Sequence, residues 1–103
     1  MPQFSIFPNP RRDPAVAFIV QVQTTRFDRT RGRVTIALFH RHPKAPADHV
    51  LTPHLTVLGR PVYADPFDLA TVPVDRLGAP LGILPEADQR RIITAIDEML
   101  SRA

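Results

Sequence analysis

Helical periodicity marks one stretch of this chain, and that stretch lies at its C-terminal end. Between Pro85 and Arg102 the apolar residues recur at three- and four-residue spacing, and the charged residues fall largely on the other side. The apolar set comprises Ile92, Ile93, Ile96, Met99 and Leu100. Pro85 fits the first helical position. We therefore predict one helix over Pro85–Arg102, which is long enough to cross a small sheet.

The rest of the chain consists of short strand-like runs. Twelve prolines, which cannot donate a main-chain hydrogen bond, limit the length of these runs. The predicted strands are residues 3–7, 15–24, 34–39, 55–58, 61–63 and 71–74, the last at a sheet edge. Gly32 and Gly59 are predicted turn residues, and Gly32 is expected to have a positive φ angle. Several strands followed by one helix predict an α+β fold, a small antiparallel SH3-like β-barrel or curled sheet with one C-terminal α-helix.

Length and composition indicate a single ordered domain over residues 1–103. The hydrophobic fraction of 44% and the charged fraction of 22% are ordinary for a globular protein. Cysteine is absent, which excludes disulfides and thiolate metal sites and favours a reducing compartment. The N-terminus lacks the basic and apolar regions of a secretory signal, and no run is long enough to span a membrane. We expect a cytoplasmic protein with no membrane association.

Basic residues are concentrated in one short segment. The net charge is +3, and Arg26, Arg29, Arg31 and Arg33 lie within eight residues. Such a cluster can attract an acidic protein segment or nucleic acid. The alternative is a solvated turn with ordinary surface arginines, and the sequence leaves both open.

The chain carries no recognisable catalytic or metal-binding motif. Its four histidines are His40, His42, His49 and His54. They lack the i, i+3 or i, i+4 pairing and the supporting thiolates or carboxylates that zinc sites show. Ser5 and Ser101 have no nucleophile elbow around them, and no glycine-rich phosphate loop occurs. We therefore predict no catalytic residue, no metal and no cofactor.

Four patches, taken in order, resemble the CcdB family of bacterial toxins. They are Gln3–Asn9, Val20–Asp28, Leu69–Gly78 and the terminal helix. The run Ala70-Thr-Val-Pro-Val74 is the most specific single match. The resemblance covers almost the whole chain and is weakest between Phe39 and His54.

The resemblance implies a homodimer that binds the DNA-cleaving subunit of DNA gyrase and traps the enzyme on cleaved DNA. By position, the gyrase contacts are Thr24, Arg26 and Phe27 at the tip of the second strand, and Asp97, Leu100, Ser101, Arg102 and Ala103 at the helix end. The same resemblance puts Met99 near the two-fold axis of the dimer.

The resemblance also implies a cognate antitoxin with a disordered C-terminal segment. Its expected contacts are Arg11, Arg12 and the loop His40–His49. Disordered acidic segments suit a basic surface of this kind. Operator DNA is expected to be reached only through the antitoxin.

Two alternatives remain open at this point. One is a MazF-like endoribonuclease toxin, in which Arg33 before the third strand acts on RNA. The other is a diverged CcdB-like protein that keeps antitoxin binding as a co-repressor but does not poison gyrase. The second alternative arises because poisoning members typically end in Trp-Gly-Ile, whereas this chain ends Ser101-Arg102-Ala103 and contains no tryptophan.

Overall fold

The computed structural model describes residues 2–101, which form six strands and one α-helix. The strands are β1 (Ser5–Pro8), β2 (Val16–Gln21), β3 (Gly32–His40), β4 (His54–Val57), β5 (Arg60–Pro73) and β6 (Gly82–Ile83), and the helix is α1 (Glu86–Met99). Two single 3-10 turns, Thr25–Phe27 and Val74–Arg76, follow β2 and β5.

The six strands form one antiparallel sheet in the order β4-β5-β3-β2-β1-β6. The sheet curls into half a barrel, and α1 follows it along the chain. Ile92 and Ala95 of α1 are fully buried, and Ile92 joins the cluster built on Ile36 and Leu38 of β3. The predicted α+β architecture, a curled antiparallel sheet with a C-terminal helix, is confirmed.

Strand β5 is longer than the sequence indicates. Two separate strands were expected, over residues 61–63 and 71–74, but one strand of 14 residues runs from Arg60 to Pro73. Its pairing with β3 shifts midway, because Ala64 lies opposite Leu38 while Leu69 lies opposite Ile36. Residues 65–68 therefore bulge out of the ladder. Prolines are tolerated at such bulges and at edges, so Pro66 within this segment interrupts the pattern without ending the strand.

The predicted turn at Gly59 is confirmed, whereas the positive φ angle predicted for Gly32 is wrong. Leu58 and Gly59 have φ angles of 52° and 79°, which suit the tight turn between β4 and β5. Gly32 instead begins β3, and a Cβ atom there would clash with the Thr71 Cγ2 atom of β5. Glycine is required at this position by close strand packing rather than by turn geometry.

The helix is shorter than predicted at both ends. Pro85 precedes α1 instead of occupying its first turn, and its carbonyl oxygen accepts the Gln89 N–H at 3.0 Å. The helix ends at Met99, and Leu100 caps it. The predicted C-terminal residue Arg102 lies outside the described residues. No helix within residues 2–101 is long and apolar enough to cross a membrane.

Candidate functional site

The tip loop, residues 22–31, connects β2 to β3 and is held in shape by polar side chains. Gln23 is central: its amide nitrogen donates to the Phe27 carbonyl oxygen at 2.9 Å, and its amide oxygen accepts the Val34 N–H at 3.2 Å. The Thr30 hydroxyl lies 3.0 Å from the same Phe27 oxygen. These bonds connect the 3-10 turn to the start of β3 through the side chains of Gln23 and Thr30. The loop is therefore preorganised.

Arg33 supports the tip loop from within. Its side chain is buried, and its guanidinium donates to the carbonyl oxygens of Asp28, Thr30 and Gly32. Its Nε atom also lies 3.5 Å from the Asp28 carboxylate. Because these contacts occupy a buried guanidinium, Arg33 has a structural role. The ribonuclease hypothesis required Arg33 to act on RNA, and the buried position of this residue argues against that role.

The tip loop presents Phe27 and Arg26 to solvent. The Phe27 side chain is 57% exposed, although an aromatic ring of this size is usually largely buried. The Arg26 guanidinium lies 5.9 Å from the centre of the Phe27 ring, within cation–π distance. Thr24 precedes the 3-10 turn and is half-buried. The exposed pair on a fixed backbone is a suitable anchor for a protein partner.

The end of α1 carries the second set of predicted contact residues. Leu100 is 68% exposed, and Asp97 and Ser101 are exposed beside it in sequence. Arg102 and Ala103, also predicted to contact gyrase, lie outside the described residues. Met99, predicted at the dimer axis, is half-buried.

An apolar groove connects the tip loop to the end of α1. It has a volume of about 350 Å³. Its lining comprises Phe4, Val22, Gln23, Val34, Leu69, Ile93, Ile96 and Asp97. The groove brings Gln23, next to predicted Thr24, onto the same face as Asp97. Of the residues predicted to contact gyrase, Asp97 is the one that lines this groove within residues 2–101.

Sequence reasoning did not assign a role to two residues of this groove, Leu69 and Ile93. Ile93 was counted in the apolar stripe of the helix, yet it is 43% exposed. Around the helix axis Ile93 is offset from the buried pair Ile92 and Ala95, and this offset could have indicated that Ile93 is exposed. Leu69 gave no such signal, because strand β5 was not predicted at this position.

The predicted antitoxin residues Arg11 and Arg12 differ in their surroundings. Arg11 forms a bidentate salt bridge with the Asp68 carboxylate, with both N–O distances at 3.0 Å. This contact raises the pKa of Arg11 above its ordinary value, and the residue is permanently cationic. Arg12 is exposed and forms no ion pair within residues 2–101. Arg12 is thus the more available of the two cations.

The loop between β3 and β4, residues 41–53, is fastened to α1 through Asp48. The Asp48 carboxylate accepts the His54 main-chain N–H at 2.9 Å and the Arg91 Nη2 at 2.7 Å. Arg91 also donates to the His54 carbonyl oxygen. The His54 hydrogen bond and the charge of Arg91 lower the pKa of Asp48. Sequence spacing alone gave no sign of this contact.

The rings of three histidines form local contacts. The His54 ring lies 2.7 Å from the Pro46 carbonyl oxygen, and the rings of His42 and His49 accept nearby main-chain N–H groups. No group of three or more His, Asp or Glu side chains in the described part of the chain could hold a metal ion.

Comparison with known families identifies the family of this chain. The family model described as CcdB protein matches residues 3–101, almost the full length. A comparison with curated proteins finds no match.

Proposed function

This chain belongs to the CcdB family of toxins of toxin–antitoxin modules, and we propose that it acts by binding DNA gyrase and trapping the enzyme on cleaved DNA. The role is one of binding rather than catalysis. It requires a cytoplasmic location, where gyrase acts.

The observation that carries this proposal is the exposed Phe27–Arg26 pair on a preorganised loop. An exposed aromatic ring held on a fixed backbone loses little conformational entropy when a partner covers it. Aromatic and arginine side chains are the residues that most often dominate binding energy at interfaces. The end of α1, with Leu100 exposed, adds a second apolar contact.

Dimerisation through the apolar groove is part of the proposal. The exposed fraction of Ile93 and the apolar lining of the groove leave a surface that a second copy of the chain can cover. A two-fold interface of this kind would bring two tip loops and two helix ends onto one assembly. Met99, which is half-buried near the end of α1, would then lie close to the axis.

Antitoxin binding is proposed at a different surface, where the contacts would be between charged side chains. Arg12 is exposed and unpaired within the described residues, and Arg11 stands beside it. A disordered acidic segment would meet these arginines and the loop His40–His49, and operator DNA would be reached through that antitoxin. The co-repressor alternative retains this contact and lacks gyrase poisoning, so gyrase binding separates the two.

The test is binding to the purified DNA-cleaving subunit of gyrase by isothermal titration calorimetry. Phe27→Ala should weaken binding by about 30-fold, corresponding to loss of an aromatic anchor of roughly 2 kcal/mol. Phe67→Ala is the matched control, because Phe67 is 71% exposed on the β5 bulge and lies outside the proposed surface. Equal affinity of both variants and the parent would contradict the assignment of Phe27. No binding by the folded parent protein would favour the co-repressor alternative.

A further inference from the structure

The second half of β5 has an open edge. Strand β4 pairs with β5 only over residues 60–63, whereas the pairing with β3 continues to Pro73. No other strand within residues 2–101 pairs with β5. Residues 69–73, which we call the β5 edge, therefore have a strand on one side only.

The strand register shows which main-chain N–H and C=O groups of this edge point away from β3. Val74 N–H donates to the Arg31 carbonyl oxygen at 2.8 Å, so residues 70, 72 and 74 face β3. The Val34 carbonyl oxygen, opposite Thr71, instead accepts from Val22 of the neighbouring segment at 3.0 Å. Leu69 and Thr71 consequently direct their N–H and C=O groups away from the sheet. No group in residues 2–101 hydrogen-bonds to the main chain of Thr71 on that side.

Arginine side chains surround the edge on both faces. A groove of about 390 Å³ on one side of Thr71 is lined by Arg11, Arg12 and Arg76. A second groove of about 330 Å³, which also contacts Thr71 and Pro73, is lined by Arg31. No acidic residue lines either groove. The carboxylate of Asp68 pairs with Arg11 and neutralises it.

We propose that the β5 edge binds an acidic polypeptide segment that adds to the sheet as a further strand. The main chain of the segment would pair with the outward groups of Leu69 and Thr71, which are two residues apart as a strand requires. Its carboxylates would meet Arg12, Arg31 and Arg76. The inference deepens the proposed antitoxin contact at Arg11 and Arg12 and rests on the proposed function for the identity of the natural partner.

An acidic peptide fits this surface better than nucleic acid does. A row of alternating main-chain donors and acceptors at strand spacing matches another peptide backbone, whereas phosphates would use the arginines alone. Pro73 has no N–H, so it limits pairing at that end of the edge. The expected footprint is therefore short, about four to six residues of the added segment.

The test is fluorescence anisotropy with an eight-residue labelled peptide, Glu-Thr-Glu-Val-Glu-Thr-Glu-Val, and the full-length protein. We expect saturable binding that weakens with added salt. Methylating all the peptide nitrogens of the probe should weaken binding at least tenfold, because it removes the main-chain donors that face the edge without changing charge. Equal binding of the methylated peptide would overturn strand addition, as would tighter binding of a twelve-residue oligothymidylate that displaces the peptide.

Two variants of the protein test the same surface. Thr71→Pro removes an outward N–H that takes no part in the β3 ladder and should weaken binding about tenfold. The change Arg12→Glu should weaken it about tenfold, while Arg60→Glu, an equal charge reversal at the β4–β5 turn, should change it less than twofold. Equal effects of the two charge reversals would contradict the edge assignment. This measurement needs neither gyrase nor antitoxin, so its failure is distinguishable from failure of gyrase poisoning.

Discussion

Arg33 and Asp28 join the start of β3 to the tip loop above it. The Arg33 Nη2 atom donates to the main-chain oxygen of Asp28, and Arg33 Nε lies 3.5 Å from the Asp28 carboxylate. The same guanidinium reaches the carbonyl oxygens of Thr30 and Gly32. One planar group with several donors thus fixes the backbone that displays Phe27.

Replacing Arg33 should destabilise the protein and make the backbone of the tip loop, which carries Phe27, less rigid. We expect Arg33→Met to lower the free energy of unfolding by about 2–4 kcal/mol, because several carbonyl oxygens lose a charged donor. Urea unfolding followed by circular dichroism measures the change. Arg29→Met, in the same loop but at an exposed position, should cost less than about 0.5 kcal/mol. Similar losses for the two variants would show that Arg33 does not support the loop.

The apolar groove predicts which substitution separates the dimer. Ile93→Glu introduces a charge into the groove, and burying it without a partner would oppose association. We expect sedimentation equilibrium to show a dimer for the parent chain and a folded monomer for the variant. Ile83→Glu provides the control, since Ile83 is 53% exposed on β6 and does not line the groove. A variant at Ile93 that stays dimeric would exclude the groove as the interface.

The Asp48–Arg91 contact predicts acid sensitivity of the loop between β3 and β4. The folded state lowers the pKa of Asp48, so stabilisation by this contact is present above the pKa of the unfolded chain. That stabilisation is lost as the pH falls through the lower, folded-state pKa. The protection factors of the amides in residues 45–53, which correct for the pH dependence of intrinsic exchange, should therefore stay high at pH 5 and fall as the pH drops through the folded-state pKa of Asp48.

The variant Asp48→Asn isolates the carboxylate from general acid effects. It should lower the protection factors in this loop at pH 7 and reduce their further fall on acidification. Asp75→Asn, an exposed residue of the second 3-10 turn, should leave the loop unchanged. A carboxyl titration of Asp48 at or above the ordinary aspartate range would refute the pKa direction.

The helix end supplies a separate prediction about gyrase. Leu100→Ala should weaken gyrase binding by about tenfold, because a 68% exposed apolar side chain would become covered in the complex. The free energy of unfolding of this variant should change little, because the Leu100 side chain is already exposed in the free protein. Leu81→Ala, at another exposed leucine, serves as the control and should bind as the parent does. Affinity that is insensitive to Leu100 would remove the helix end from the proposed surface.

The sequence predicted the elements whose patterns are locally regular. Helix α1 showed a clear three- and four-residue spacing, and β3 was found to within two residues because Val34–Phe39 is an apolar run interrupted only by Thr35. Strand β5 was divided because its bulge at residues 65–68 interrupts the alternation. The two-residue strand β6 was missed, since it exists only through pairing with β1.

The residues of the candidate site were predicted from the family resemblance, and the structure adds how exposed each of them is. Phe27 and Leu100 could be named in advance from the resemblance, and both are exposed large apolar residues. The role of Arg33 could not be read from sequence. A cluster of four arginines does not reveal which one turns inward to bond with carbonyl oxygens. The open β5 edge depends on register, which is a property of the assembled sheet.

Cleavage of supercoiled plasmid by gyrase in the presence of the purified protein and ATP tests the central claim most directly. After detergent and protease treatment, the account predicts linear DNA that accumulates with dose and is reduced by Phe27→Ala but not by Phe67→Ala. Absence of linear DNA, with a folded protein and an active gyrase from a suitable host, would contradict gyrase poisoning.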